Sequence, residues 1–168
     1  MYVRCYYHSP LGELTLVSDG TYLTGVWFGQ VCEKYEQKEL SVFKQTIRWL
    51  DTYFDGEIPD VLPPLRLEGT AFRKEVWDIL LEIPYGETVS YGEIAKQLAQ
   101  RRGIDRMSAQ AVGGAVGHNP ISILVPCHRV VGSNGKMIGY GGGVNRKIKL
   151  LELEAEVHSK KKMEGNYE

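Results

Sequence analysis

Residues 108–131 read SAQAVGGAVGHNPISILVPCHRVV, and this stretch decides the fold of the second half of the chain. Ser108 caps a short helix expected over 109–117. Upstream, Ser90 followed by Glu93 is a capping box, which opens a helix running to about Gln100. A polar loop beginning at Arg101 joins the two. Two short helices joined by a turn match a helix-turn-helix, and a plain helical hairpin matches equally well. Downstream, the β-branched run 120–126 predicts an extended segment that delivers Cys127 and His128 at its end.

The second helix carries Gly113, Gly114 and Gly117. An interior glycine costs about 1 kcal/mol relative to alanine, a penalty tolerable where close approach is needed. The approaching group is either another element of the protein or a nucleic-acid backbone. The flanking Arg101, Arg102 and Arg106 tip the balance toward the second.

The front of the chain reads as a small antiparallel sheet. Residues 2–7, 13–18 and 22–28 are β-branched or aromatic runs, separated by Ser9-Pro10-Leu11-Gly12 and Ser18-Asp19-Gly20. An amphipathic helix over 40–54 follows, with Phe43, Ile47, Leu50 and Phe54 on its apolar face. The stretch 59–69 holds three prolines and marks a boundary, giving a first domain over 1–68 and a second over 69–158. The second domain opens with a helix whose inner face is Phe72, Val76, Trp77, Leu80 and Leu81. After Cys127, Gly132-Ser133-Asn134-Gly135 predicts a hairpin turn. The glycine-rich 139–143 predicts a loop whose backbone N–H groups approach a flat ligand; no GK[ST] follows, so it is not a phosphate loop. A last helix over 144–157 turns Val144, Ile148, Leu151 and Ala155 inward, and 159–168 is a polar tail expected to be disordered.

Composition bounds the function. An apolar content of 43% supports a real core, and no apolar run is long enough to span a membrane. No signal peptide is visible, so a cytoplasmic location is expected. Net charge is −4 over 1–68 and +2 over 69–158, which places any polyanion site in the second domain. Three cysteines argue against a disulfide framework. Cys5, His8 and Cys32 supply three ligands without paired spacing, so neither a metal nor a cofactor is expected.

A neighbouring imidazole or cation brings a cysteine thiol below its free pKa of about 8.5, so Cys127 beside His128 reads as an activated thiolate. Strand neighbours point to opposite faces. The pair therefore needs either a turn, which Pro126 can provide, or a bridging water. A base also needs an orienter, and Glu152, Glu154 and Glu156 on the last helix are open alternatives. A cysteine protease places its histidine far away in sequence. Soft sulfur suits displacement of oxygen from an sp3 carbon. The thioether product resists cleavage, so such a protein reacts once.

Over essentially its full length the chain resembles the O6-alkylguanine-DNA alkyltransferases. The resemblance rests on Pro126-Cys127-His128-Arg129-Val130, on Asn119-Pro120 eight residues before the cysteine, and on Ser90-Tyr91. Ala111-Val112-Gly113, Gly139-Tyr140 with Gly142-Gly143, and the opening turn Ser9-Pro10-Leu11-Gly12 match as well. It implies an α/β (α+β) fold: a ribonuclease H-like N-terminal sheet with a helix, then a mostly helical winged helix-turn-helix domain. It implies that Cys127 accepts the alkyl group of O6-alkylguanine in double-stranded DNA, in a single irreversible turnover after base flipping, with O4-alkylthymine as a further substrate class.

The resemblance also assigns roles. His128 acts as base through a water and Glu154 orients it. Asn119 links the recognition helix to the active-site segment. Tyr91 donates to a guanine ring nitrogen. Pro126, the Val130 backbone, Tyr140, Gly141 and Gly142 form the base pocket. Ala109, Gln110, Ala111, Gly113 and Gly114 enter the minor groove, and Arg101, Arg102 and Arg129 contact the DNA. The protein is expected to act as a monomer without a membrane partner. Gln110 stands where many members insert an arginine into the base stack, so weaker help in flipping is expected. The loop 101–107 is longer than in some members. Two readings without chemistry compete: an alkyltransferase-like lesion-binding protein, whose mark is loss of the cysteine, and a helix-turn-helix regulator. Cys127 is present, and a regulator does not explain His128, Tyr91 and Glu154 together.

Overall fold

The computed structural model describes residues 1–165, in two compact units. The first comprises Met1–Glu68 and Pro120–Leu124; the second comprises Gly69–Asn119 and Val125–Glu168. The two therefore interleave in sequence: the segment just before Cys127 belongs to the first unit, whereas the sequence reading had kept 69–158 whole.

In the first unit, β1 (Val3–Ser9) and β2 (Gly12–Ser18) form a hairpin in full register from Val3↔Ser18 to Ser9↔Gly12. Gly12 sits at φ 115°, which only glycine adopts without strain. The Ser9 hydroxyl accepts from Leu11 N at 3.1 Å. β3 (Leu23–Phe28) pairs with β2, and Asp19 Oδ1 closes the turn by accepting from Thr21 N and Tyr22 N. The sheet order is β3-β2-β1-β4. The two-residue β4 (Glu36–Gln37) runs parallel to β1, so the expected antiparallel sheet is in fact mixed.

The outer edge of β3 does not face solvent unpaired. Leu23 N donates to Pro64 O at 2.8 Å, and Val26 N donates to Pro120 O at 2.9 Å. Two non-consecutive segments thus cap an edge that would otherwise invite association. Helix α1 (Ser41–Phe54) buries Val42, Phe43, Thr46, Leu50 and Tyr53. This face is rotated from the expected one. Ile47 and Phe54 are only half-buried; Thr46 goes inside because its hydroxyl donates to Val42 O at 2.8 Å.

The second unit opens with α2 (Ala71–Leu81), capped by Thr70, whose hydroxyl accepts from Arg73 N. Its buried residues are Val76, Trp77, Ile79 and Leu80, while Leu81 is exposed and Phe72 half-buried. Trp77 Nε1 donates to Ala115 O at 2.8 Å, which ties α2 to α4 (Ala109–Gly117). Helix α3 (Tyr91–Arg102) starts at the Ser90 cap and ends at Gly103, φ 65°. The parallel pair β5 (Val89–Ser90) and β6 (Val130–Val131) aligns Val89 with Val130. That pairing sets the first residue of α3, Tyr91, beside the active-site segment.

Helix α5 runs Val144–Gly165. Residues 159–165 thus continue the helix instead of forming a disordered tail, and the last three residues of that expected tail lie outside the described residues. The buried face of α5 is also one residue away from expectation: Lys147, Leu150, Glu154 and Val157 are buried, while Val144 is 39% exposed. Among the described residues no helix is long and apolar enough to cross a membrane, and no three His, Cys, Asp or Glu side chains gather as a metal ion requires.

Candidate active site

The approach to Cys127 is a series of tight turns, not the expected strand. Leu124 N donates to Ser122 O at 2.8 Å around Ile123, whose φ is 70°. A β-branched residue at positive φ is an outlier, and such backbones persist only where packing over-determines them. Ile123 is 1% exposed. The chain then turns again at Pro126 (φ −81°, ψ 63°), where Cys127 N donates to Val125 O at 2.8 Å. These are inverse γ-turn angles, and proline presets the φ. A short 3-10 turn, Cys127–Arg129, follows and leads directly into β6. Because the segment turns, Cys127 and His128 are freed from the opposite-face rule of a strand. Among the described residues no hydrogen bond joins the imidazole to Sγ.

Cys127 is 7% exposed. Burial pushes its thiol pKa up; a hydrogen bond from Asn119, the Lys147 charge and the main-chain N–H groups of Cys127 and His128 pull the other way without winning. The resting group is therefore a protonated thiol, not the thiolate expected from the neighbouring histidine. Asn119 Nδ2 also donates to Val125 O at 2.9 Å. This bond joins the end of the α4 segment to the residue that re-enters the second unit.

His128 is fully buried, and Nε2 lies 2.5 Å from Glu154 Oε2. Burial lowers the His128 pKa despite the Glu154 charge, so the ring is neutral at neutral pH. Burial works against the Glu154 anion but is outweighed by His128 and then Arg129, which hold its pKa at about 2. A neutral ring facing a carboxylate carries its proton on Nε2. Nδ1 is thereby left as an acceptor, and it is buried with no partner among the described residues. An orphaned buried nitrogen marks the place of a water or a reacting group.

Glu154 is held on all sides. Oε1 accepts from Arg129 Nε at 2.7 Å and from Gly86 N at 3.1 Å. Oε2 accepts from Arg129 Nη2 at 3.2 Å as well as from His128. Arg129 Nη1 donates to Ile83 O at 2.8 Å, and the guanidinium lies over the Tyr85 ring. The expectation that Arg129 contacts DNA is therefore corrected: its side chain is buried and its fork is committed to Glu154. Of the three glutamates left open by the sequence, 154 is buried and 152 and 156 are exposed.

Tyr91 is half-buried at the head of α3, its pKa raised by burial and then by Cys127. Its hydroxyl donates to Ile138 O at 3.3 Å. Gly139 (φ 63°) lies against it; a Cβ there would meet the hydroxyl at 3.3 Å. Tyr140 and Gly142 are half-buried and Gly141 is exposed, in a loop closed by Gly143 N donating to Tyr140 O at 3.0 Å. Pro126 and Val130 are buried beside Cys127 in sequence. On α4, Ala109, Gln110, Ala111 and Gly114 are exposed and Gly113 half-buried. A Cβ added at Gly114 or Gly117 would meet nothing within 4 Å. Arg101 pairs with Glu82 at 3.0 Å, and Arg102 grips Glu75 through two nitrogens. These pairs are half-exposed, and such surface pairs are worth about 0–1 kcal/mol, so either arginine can exchange its carboxylate for a phosphate.

Lys147 is a site residue that the sequence reading missed. It is fully buried on α5, and it shares a face with Leu150 and Glu154 at spacings of three and four. Periodicity that counted charged residues would have found it.

Two family models match the chain: the 6-O-methylguanine DNA methyltransferase ribonuclease-like domain over 2–67, and the DNA binding domain of the same family over 71–156. The chain belongs to the 6-O-methylguanine DNA methyltransferase family. Within it, a methylated-DNA–protein-cysteine methyltransferase of Mycobacterium leprae is 47% identical over 152 residues, covering 87% of this chain and 88% of the relative. A relative of the same name from Haemophilus influenzae is 42% identical over 157 residues, covering 89% and 84%. The crystal structure of Mycobacterium tuberculosis OGT in complex with DNA superposes with a TM-score of 0.80 at 46% identity, covering 93% of each chain. As in the family models, a ribonuclease-like part precedes a DNA-binding part, in agreement with the mixed α/β fold expected from sequence.

Proposed function

We propose that this methyltransferase repairs DNA directly, by moving the alkyl group of O6-alkylguanine onto Cys127 once per molecule. The observation that carries the site assignment is the buried His128–Glu154 pair with its orphaned Nδ1, one residue from a buried thiol. A water between Sγ and Nδ1 carries the thiol proton to His128. The nascent thiolate attacks the alkyl carbon, an S–C bond forms and the C–O6 bond breaks. Tyr91, released from Ile138 O, protonates a ring nitrogen so that guanine leaves as a neutral base, and solvent reprotonates the phenol. Glu154, ionised throughout, stabilises the imidazolium that appears. A resting protonated thiol suits a protein consumed by its own reaction, because sulfur is activated only when substrate has arrived.

The alkylated oxygen lies inside the duplex and the thiol is buried, so the base must be flipped out. The small residues Ala109, Ala111 and Gly114, exposed on α4, and the half-buried Gly113 allow a close approach, which suits the minor groove. No packing inside the protein calls for glycine at 114 or 117, and this supports an external partner for that face. Gln110, exposed beside them, can fill the vacated stack without cationic stacking. O4-alkylthymine as a further substrate, a cytoplasmic location and action as a monomer complete the reading.

The test is mass spectrometry after incubation with a duplex carrying one O6-methylguanine. A single methyl group is expected on Cys127 and none on Cys5 or Cys32. No adduct, or more than one demethylated guanine per protein, overturns the reading.

A further inference from the structure

The Lys147 side chain is fully buried, yet among the described residues its ammonium pairs with no carboxylate. Its Nζ contacts three backbone oxygens instead: Val130 O at 2.5 Å, Ile138 O at 2.8 Å and Gly139 O at 3.1 Å. A carbonyl only accepts, so three such contacts need three N–H donors. A neutral amine has two, and the side chain must be the ammonium. All three protons are then spent on main chain. Lys147 has none to give the thiol and no lone pair to take its proton.

The three carbonyls lie on different parts of the pocket. Val130 follows the Cys127 turn, and Ile138 and Gly139 begin the loop that carries Tyr140. The Tyr91 ring lies 5.9 Å from Nζ, and the Tyr91 hydroxyl shares Ile138 O with it. One cation therefore cross-links the active-site turn, the pocket loop and, by its position, the phenol.

We propose that Lys147 is a positioning residue for alkyl transfer: through three backbone carbonyls it locks the 138–140 loop onto the segment that follows Cys127 and keeps a fixed positive charge in the pocket as the sulfur becomes an anion. The proposal rests on the alkyl-transfer reading above. The groups that act on the Cys127 thiol are Lys147 from α5, Tyr91 from α3, the Asn119 amide after α4 and the main-chain N–H of His128 in its own turn. Lys147 is the one fixed cation in this set, and its charge lowers the thiol pKa against burial. The thiolate in turn favours the ammonium, while burial disfavours it.

The experiment follows the rate of iodoacetamide attachment to Cys127 against pH, read by peptide mass spectrometry in the full chain, for wild type and Lys147→Met. Methionine fills the space without the charge. The inflection is expected to move to higher pH, with at least a tenfold slower reaction at pH 7 and a comparable or larger loss in single-turnover methyl transfer. An inflection left in place overturns the proposal, since a merely structural lysine would change stability without moving it. If Lys147→Met does not fold, the wild-type protein decides: its Lys147 ammonium protons should exchange slowly with water by nuclear magnetic resonance, and fast exchange overturns the proposal. The iodoacetamide profile and the proton exchange use no DNA. Failure of the wild-type chain to take a methyl group is thus distinguishable from failure of the role given to Lys147.

Discussion

Glu154 accepts hydrogen bonds from Gly86, His128 and Arg129, and Arg129 supplies two of them. Breaking a buried ion pair by removing one partner costs about 3–5 kcal/mol, so Arg129→Met should lose that much stability in urea unfolding. The salt dependence of DNA binding should stay unchanged in the same variant, because loss of a phosphate-contacting arginine would reduce the slope by about one. A reduced slope would restore Arg129 to the DNA interface. Glu154 also sets a pH dependence. Its folded pKa of about 2 lies below the ordinary glutamate value of about 4.5, so its contribution is fully present above about pH 4.5 and is lost as pH falls through about 2. The stability gap between wild type and Glu154→Gln should therefore narrow steadily over that window. An equal gap at pH 7 and pH 3 would rule this out. At this scale the cysteine and histidine stand out because their adjacency is itself the signal. Residue spacing alone leaves three glutamates open; the family resemblance points to Glu154, and Glu154 is the buried one. Lys147 is legible only to a periodicity that admits charged residues to the inward face, and the true place of Arg129 is not legible, because a backbone carbonyl is among its partners and no side-chain pattern announces a carbonyl.

At the scale of elements, α4 joins two opposing demands. Val112, Ala115 and Val116 are buried, while the opposite face carries glycine and alanine with the single longer side chain Gln110. Gly114→Ala should stabilise the fold by about 1 kcal/mol, the helix-propensity difference, since its methyl group meets no neighbour. The same methyl should weaken binding to duplex DNA. A variant that gains stability and binds DNA as well as wild type would remove the groove from the account of this helix. The caps at Ser90 and Ser108 are readable in the sequence, because a hydroxyl at an N-terminus acts locally. The inward faces of α1 and α5 were each misjudged: apolar spacing cannot register a threonine satisfied by its own helix, nor a buried lysine and glutamate satisfied by other elements. The run 120–126 was misread as a strand for a related reason. Its β-branched residues favour extension, but γ-turns at Ile123 and Pro126 override that preference.

For the whole molecule the decisive feature is the return of Pro120–Leu124 to the first unit. Ile121 is fully buried and bridges to Val26. Truncation of a fully buried isoleucine costs about 2–5 kcal/mol, so Ile121→Ala should lower the urea midpoint by a corresponding amount, although residue 121 lies far along the chain from the sheet it completes. A loss of under 1 kcal/mol would show that the first unit does not depend on this segment. The proline-rich boundary near residue 68 was legible as a change of composition, but the return was not, because it depends on two main-chain bonds to Val26.

That return has a consequence in time. A chain emerging from the ribosome presents its first 68 residues well before residue 120 exists. At about 5–20 residues per second, the intervening stretch takes on the order of 3–10 seconds to make. Throughout that interval the outer edge of β3 lacks one of its covers and the first core lacks Ile121. The nascent protein is most vulnerable to misassociation then, and the vulnerability ends only when residues 120–124 emerge and pair with Val26.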